Sequence, residues 1–161
     1  MLLIALLSAA AAIAQAPVPR PAGALFIDGK DVLARAAGRP AVLAMVSTQC
    51  GHCAAVARVM QAESADFSTV FFAAVTMDEG ADPTAWSQKL SLSFPVYKGN
   101  REVAMKFLGL TDAHLGTPQM VYLDRAGVIR AQSERLGTPM LQASDYMRSL
   151  VGALLKGSYG R

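Results

Sequence analysis

Residues 41–53 read AVLAMVSTQCGHC, and this stretch decides the fold. The run at 41–47 shows no apolar–polar alternation, the pattern of a central strand covered on both faces. It delivers the chain to Cys50, Gly51, His52 and Cys53. Beyond them Ala54, Val56, Ala57, Val59 and Met60 recur at helical spacing, with Arg58 and Gln61 left for the wet side. Residues 70–77 form a second buried strand. Strand, helix and strand in that order make a βαβ unit with parallel pairing.

Working outward, Asp28-Gly29 is a turn signal, and residues 31–37 suit a short helical turn before the breakers Gly38 and Pro40. On the other side Asp82 and Pro83 open a helix running to Leu90. Residues 94–96 are extended, 101–108 are helical, and Gly116-Thr117-Pro118 makes a bend. Residues 119–123 and 128–131 form a hairpin about Asp124-Arg125-Ala126-Gly127. A last helix at 139–155 buries Met140, Leu141, Met147, Leu150, Val151 and Leu154. The expected architecture is α/β: a central mixed sheet flanked by helices, one domain over 25–161. Trp86 and Tyr122 read as packing residues, and Asp78-Glu79 as a solvated loop pair rather than a proton relay.

With 161 residues, 53% of them hydrophobic, the chain can build one proper core. Its 15 basic and 12 acidic residues are scattered, for a net +3, and no basic run with interleaved aromatics occurs. That distribution argues against a nucleic-acid partner. Residues 1–14 are apolar and uncharged, ending in Ala12-Ile13-Ala14 ahead of Gln15, which suits a signal peptide cleaved after Ala14. The first basic residue is Arg20, so an uncleaved anchor is the other reading. Either places the domain outside the cytoplasm, in a periplasm or cell envelope, with 15–24 as a tether.

The chain has two cysteines, both in one tetrapeptide. A bridge closing so small a loop removes little unfolded-chain entropy, so reactivity rather than stapling is its purpose. Disulfide exchange needs an exposed sulfur of lowered pKa and a second sulfur within reach to resolve the mixed disulfide. At the start of a helix Cys50 would meet the positive end of the dipole, and Cys53 would lie one turn inside. His52 adds a polar, at times cationic ring that favours the thiolate. A closed zinc site needs four ligands, and His52 between the two cysteines can hardly join them on one ion.

From about Gly29 to Leu155 the sequence resembles the thioredoxin-like proteins of the bacterial envelope, the TlpA, ResA and CcmG group. The matching pieces are Gly29-Lys30 leading to Gly38-Arg39-Pro40, the strand AVLAMVST, CGHC, Phe94-Pro95-Val96, Gly116-Thr117-Pro118 and MVYLDRAGVIR. The resemblance implies a thioredoxin fold and an exported thiol-disulfide oxidoreductase with Cys50 as nucleophile and Cys53 as resolving thiol. Gly51, His52, Thr117 and Pro118 would modulate the site, with a cis Thr117-Pro118 bond. No cofactor beyond the Cys50-Cys53 couple is implied. The partners are exported proteins with thiols or disulfides, and a membrane electron donor or acceptor. Three positions depart from the pattern: Gln49 replaces an aromatic residue, Ala44 a buried acid, and Arg58 a helix-kinking proline. CGHC also looks like the motif of disulfide isomerases. An alternative is a copper chaperone using Cys50, Cys53 and His114, since thiolates and imidazole suit copper.

Overall fold

The computed structural model describes residues 15–111 and 114–159; the expected signal segment at 1–14 lies outside them. The centre is a six-stranded mixed sheet. Strand β1 is Arg20–Pro21, β2 Phe26–Ile27, β3 Lys30–Asp31, β4 Ala41–Val46, β5 Phe71–Thr76, β6 Val96–Lys98, β7 Gln119–Leu123 and β8 Val128–Gln132. The order across the sheet is β1-β8-β7-β4-β5-β6, and β2 with β3 makes a separate small hairpin turned by Asp28 and Gly29 at positive φ. Strands β4, β5 and β6 run parallel, as the βαβ reading requires, while β7 and β8 return antiparallel.

Helices α1 (Gly51–Asp66), α2 (Pro83–Leu90), α3 (Arg101–Leu108) and α4 (Ser144–Lys156) cover both faces. The unbroken apolar strands divide their side chains by the period of two. Val42, Ala44 and Val46 of β4 face Cys53, Val56 and Met60 of α1, with Trp86 of α2 and Met147 and Val151 of α4 in the same cluster. Ala41, Leu43 and Met45 point the other way, toward Phe107 and Leu108 of α3 and Leu25 and Val32 of the N-terminal segment. Burying each large side chain contributes about 1.5–3 kcal/mol, so the two-sided strand β4 is the spine of the core.

Caps explain where the helices begin. Asp82 and Asn100 accept the N–H groups of Ala85 and Val103 at 2.9 Å, and Pro83 sits in the first turn of α2. The final helix departs from the expected one. Residues Pro139–Gln142 form a 3-10 turn, extended backbone at Ala143 breaks the helix, and Met140 is exposed rather than buried. Ser144 then donates to buried Glu63 at 2.6 Å, and Arg148 lies 3.0 Å from the same carboxylate, pinning α4 to α1.

The 15–24 stretch, expected as a tether, instead lies along the sheet. Arg20 pairs with Ile129, and its guanidinium donates to the carbonyl of Phe107 at 3.0 Å and to Gln132 Oε1 at 2.8 Å. Gln15 and Ala16 add hydrogen bonds to the carbonyls of Ser133 and Gly109. The physical reason is the otherwise open edge of β8, whose backbone groups need partners.

Candidate active site

Strand β4 ends at Val46, and Ser47, Thr48 and Gln49 carry the chain to Cys50, the N-cap of α1. Its backbone is extended, and its sulfur accepts the Cys53 N–H at 3.3 Å. A helix N-terminus leaves its first N–H groups unpaired and carries partial positive charge, so an anionic sulfur is favoured there. Cys53 is fully buried one turn further on, and its sulfur accepts the Ser47 N–H at 3.4 Å. Both cysteines are free thiols.

The two sulfurs are driven apart in acidity. Burial pushes the Cys50 thiol up, but hydrogen bonds from the Cys53 thiol and N–H, from the Thr117 side chain and from the His52 backbone N–H outweigh it, leaving Cys50 below the ordinary value. Burial first, and then its hydrogen bond to Cys50, pushes the Cys53 thiol up to about 12. The proton is therefore held more tightly on Cys53 than on Cys50. His52 is exposed, and the interaction it makes with the sulfur is that of its backbone N–H rather than its ring. Gly51 is exposed too, and a Cβ there would meet nothing within 4 Å.

The Thr117–Pro118 peptide bond is cis, and the Thr117 carbonyl lies 3.8 Å from the Cys50 sulfur. This bend is held from behind. The Gly116 N–H donates to Arg135 O at 2.9 Å. Gln119, buried and unremarked in the sequence, sends Nε2 to the carbonyls of Gly116, Glu134 and Arg135 at 2.8, 3.0 and 3.0 Å. Exposed Leu136 lies against the same bend, its backbone beside Gly116.

Asp78 does not belong to a solvated pair. Its Oδ1 accepts the Thr48 N–H at 2.9 Å and its Oδ2 accepts the Thr48 hydroxyl. Burial raises this carboxyl, but the Thr48 hydrogen bonds outweigh it and hold it below its usual value. The cause is register: Val46 pairs with Thr76, so two residues later Thr48 and Asp78 leave the sheet side by side. Asp78→Ala should cost about 1–3 kcal/mol in urea unfolding, because it strands the Thr48 N–H. It should also slow Cys50 alkylation several-fold, with Asp78→Asn intermediate in both measurements.

Ala44 is buried at the centre of the sheet, where the resemblance would place an acid. Glu63, on the same helix as Cys53, lies ten residues further on, about 15 Å along the axis, and is engaged by Ser144 and Arg148. Among the described residues no three His, Cys, Asp or Glu side chains converge as metal ligands, so His114 does not complete a copper set with Cys50 and Cys53. No helix among them is long and apolar enough to cross a membrane.

Residues 25–132, from the first core residue through β8 and including both cysteines and the cis bend, match the AhpC/TSA family. The chain belongs to that family. No curated protein matches it. Among solved structures, this AhpC/TSA-family chain is similar to a thiol:disulfide interchange protein of the thioredoxin family from Chlorobium tepidum, at 18% identity and TM-score 0.67. That match covers 87% of this chain and 97% of the other. A secreted Mycobacterium tuberculosis disulfide oxidoreductase homologous to Escherichia coli DsbE matches at 21% identity and TM-score 0.59, covering 84% and 96%. A protein from Sinorhizobium meliloti reaches TM-score 0.70 at 17% identity, covering 92% and 90%. The fold is thioredoxin-like, as the sequence resemblance implies.

Proposed function

We propose that this chain is an exported thiol-disulfide oxidoreductase acting on protein substrates through the Cys50-Cys53 dithiol. The observation that carries the reading is the divergence of the two thiols at one helix N-terminus: Cys50 lowered, Cys53 raised to about 12. In the reducing direction the Cys50 thiolate attacks a substrate disulfide. A Cys50–substrate S–S bond forms, the substrate's own S–S bond breaks, and the released thiolate takes a proton. Cys53 then gives up its proton and attacks the Cys50 sulfur, freeing the second substrate thiolate. Two electrons pass to the substrate and Cys50-Cys53 becomes a disulfide. Exposed Leu136 beside the bend suits a polypeptide partner better than a small thiol. The apolar segment at 1–14 supports export, and a membrane electron donor would return the couple to its dithiol form.

Stabilising the Cys50 thiolate stabilises the reduced protein, which makes the disulfide more oxidising. The potential should therefore lie above the roughly −270 mV of thioredoxin. Equilibration with glutathione tests this. His52→Pro, which removes the N–H directed at the Cys50 sulfur, should raise the Cys50 pKa and lower the potential. A wild-type value at or below thioredoxin's would leave a dedicated reductant. Failure of the couple to equilibrate at all would overturn the proposed function.

A further inference from the structure

Beside Cys50 a cleft of about 260 Å³ opens between α1 and α2. Cys50, Gln49 and Ala54 line one wall, Trp86 and Lys89 the other, and Arg58 closes the far end. Its charged residues are both cations. Arg58 and Lys89 are exposed, and neither has an ion-pair or hydrogen-bond partner among the described residues. Arg20, Arg130 and Arg148 are by contrast all engaged. Asp82, which lines the adjoining cleft, caps α2 through the Ala85 N–H, and Asp78 holds Thr48.

The spacing of these cations follows from the helices that carry them. Gly51, Ala54 and Arg58 fall on one stripe of α1, and Trp86 and Lys89 are three apart on α2, so each pair shares a face. Arg58 lies eight residues, about 12 Å, beyond Cys50, and its side chain leans back toward the helix N-terminus and the sulfur. An extended peptide advances about 3.3 Å per residue. A carboxylate about three residues from a cysteine bonded to Cys50 would therefore reach the two cations while its backbone crosses the Trp86 wall.

We infer that this cleft selects protein substrates carrying an acidic residue about three positions from the reacting cysteine, with Arg58 and Lys89 as the specificity-determining pair. The inference rests on the proposed disulfide exchange through Cys50 and names its substrate class. Each exposed charge pair contributes modestly, and a cation in the same place is repelled. The expected discrimination between acidic and basic flanks is thus about five- to tenfold at low salt, shrinking as salt screens it.

The test uses reduced full-length protein and three disulfide-bonded peptides, identical except for Asp, Ala or Lys at the third position from the reacting cysteine. Reduction rates are taken at about 20 and 500 mM salt, scales on either side of the screening transition. The acidic peptide should be reduced fastest at low salt, and the Asp-to-Lys ratio should fall toward one in the Arg58→Ala/Lys89→Ala protein. In Arg58→Glu/Lys89→Glu it should invert. The ratio is internal to each protein, so a general change in activity cancels. Equal rates in the wild type, or a preference that survives charge reversal, would overturn the inference. So would dependence on the two cations for oxidised glutathione but not for the acidic peptide. Failure of the wild type to reduce even the Ala peptide would instead reject the exchange activity itself.

Discussion

Cys50→Ser should reduce disulfide exchange to the uncatalysed background, whereas Cys53→Ser should retain the first chemical step and accumulate mixed disulfides with its partners. The asymmetry follows from where the proton sits. Cys50 is held below the ordinary thiol value by hydrogen bonds that converge on its sulfur, while Cys53 is pushed up to about 12 by burial and by its hydrogen bond to Cys50. At neutral pH a thiol with that value is ionised to roughly one part in 10⁵. The sign of the pH dependence is fixed accordingly. Alkylation of the reduced protein by iodoacetamide should rise with pH through the lowered Cys50 value and then level off, with Cys53 unlabelled until strongly alkaline conditions. Mass mapping of the labelled peptides reads the result. Labelling of Cys53 ahead of Cys50 would reverse the assignment of roles.

Gly116→Ala should also impair the protein, to a smaller degree, although residue 116 takes no part in the chemistry. A Cβ there would stand 2.5 Å from the carbonyl oxygen of Leu136 and 3.0 Å from its Cα. Those are backbone atoms and cannot swing aside, and Gly116 is bonded to Arg135 O and to Gln119 on the same side. Relief requires the bend to move as a unit, carrying the Thr117 carbonyl away from Cys50. We expect a loss of about 1–3 kcal/mol in urea unfolding, the usual cost of overpacking. Exchange should slow about tenfold, corresponding to roughly 1.4 kcal/mol on the barrier. Measuring both separates the effects: a stability loss with unchanged exchange would show that the bend does not need its present distance from the sulfur.

Elements governed by local chemistry were legible in the sequence. The helices at 83–90 and 101–108 carry their own caps, Asp82 and Asn100, and the unbroken apolar runs could only be central strands. What escaped depends on contacts across the sheet. Asp78 binds a residue thirty positions away, and only the parallel register of β4 on β5 brings them together. Met140 satisfied helical periodicity, yet Ala143 adopts extended backbone and turns it to solvent. The cleft beside Cys50 was equally hidden, because Arg58 and Lys89 come from different helices and only their packing makes one wall face the other. Of the site itself, the tetrapeptide stood out by residue type and the bend through the family resemblance, whereas Gln119 and Gly116 act through backbone carbonyls that no composition reveals.

The N-terminal strand has a bearing on orientation. Because β7 is antiparallel to β4 and β8 to β7, the end of β4, the start of β7 and the end of β8 share one rim of the sheet. Gln15 is fastened to Ser133 on that rim, and β1 stands three strand spacings, about 14 Å, from β4. The chain thus enters the fold on the rim that carries the dithiol. Were residues 1–14 to hold the protein at a membrane, that rim, and Cys50 with it, would be the one presented to the lipid.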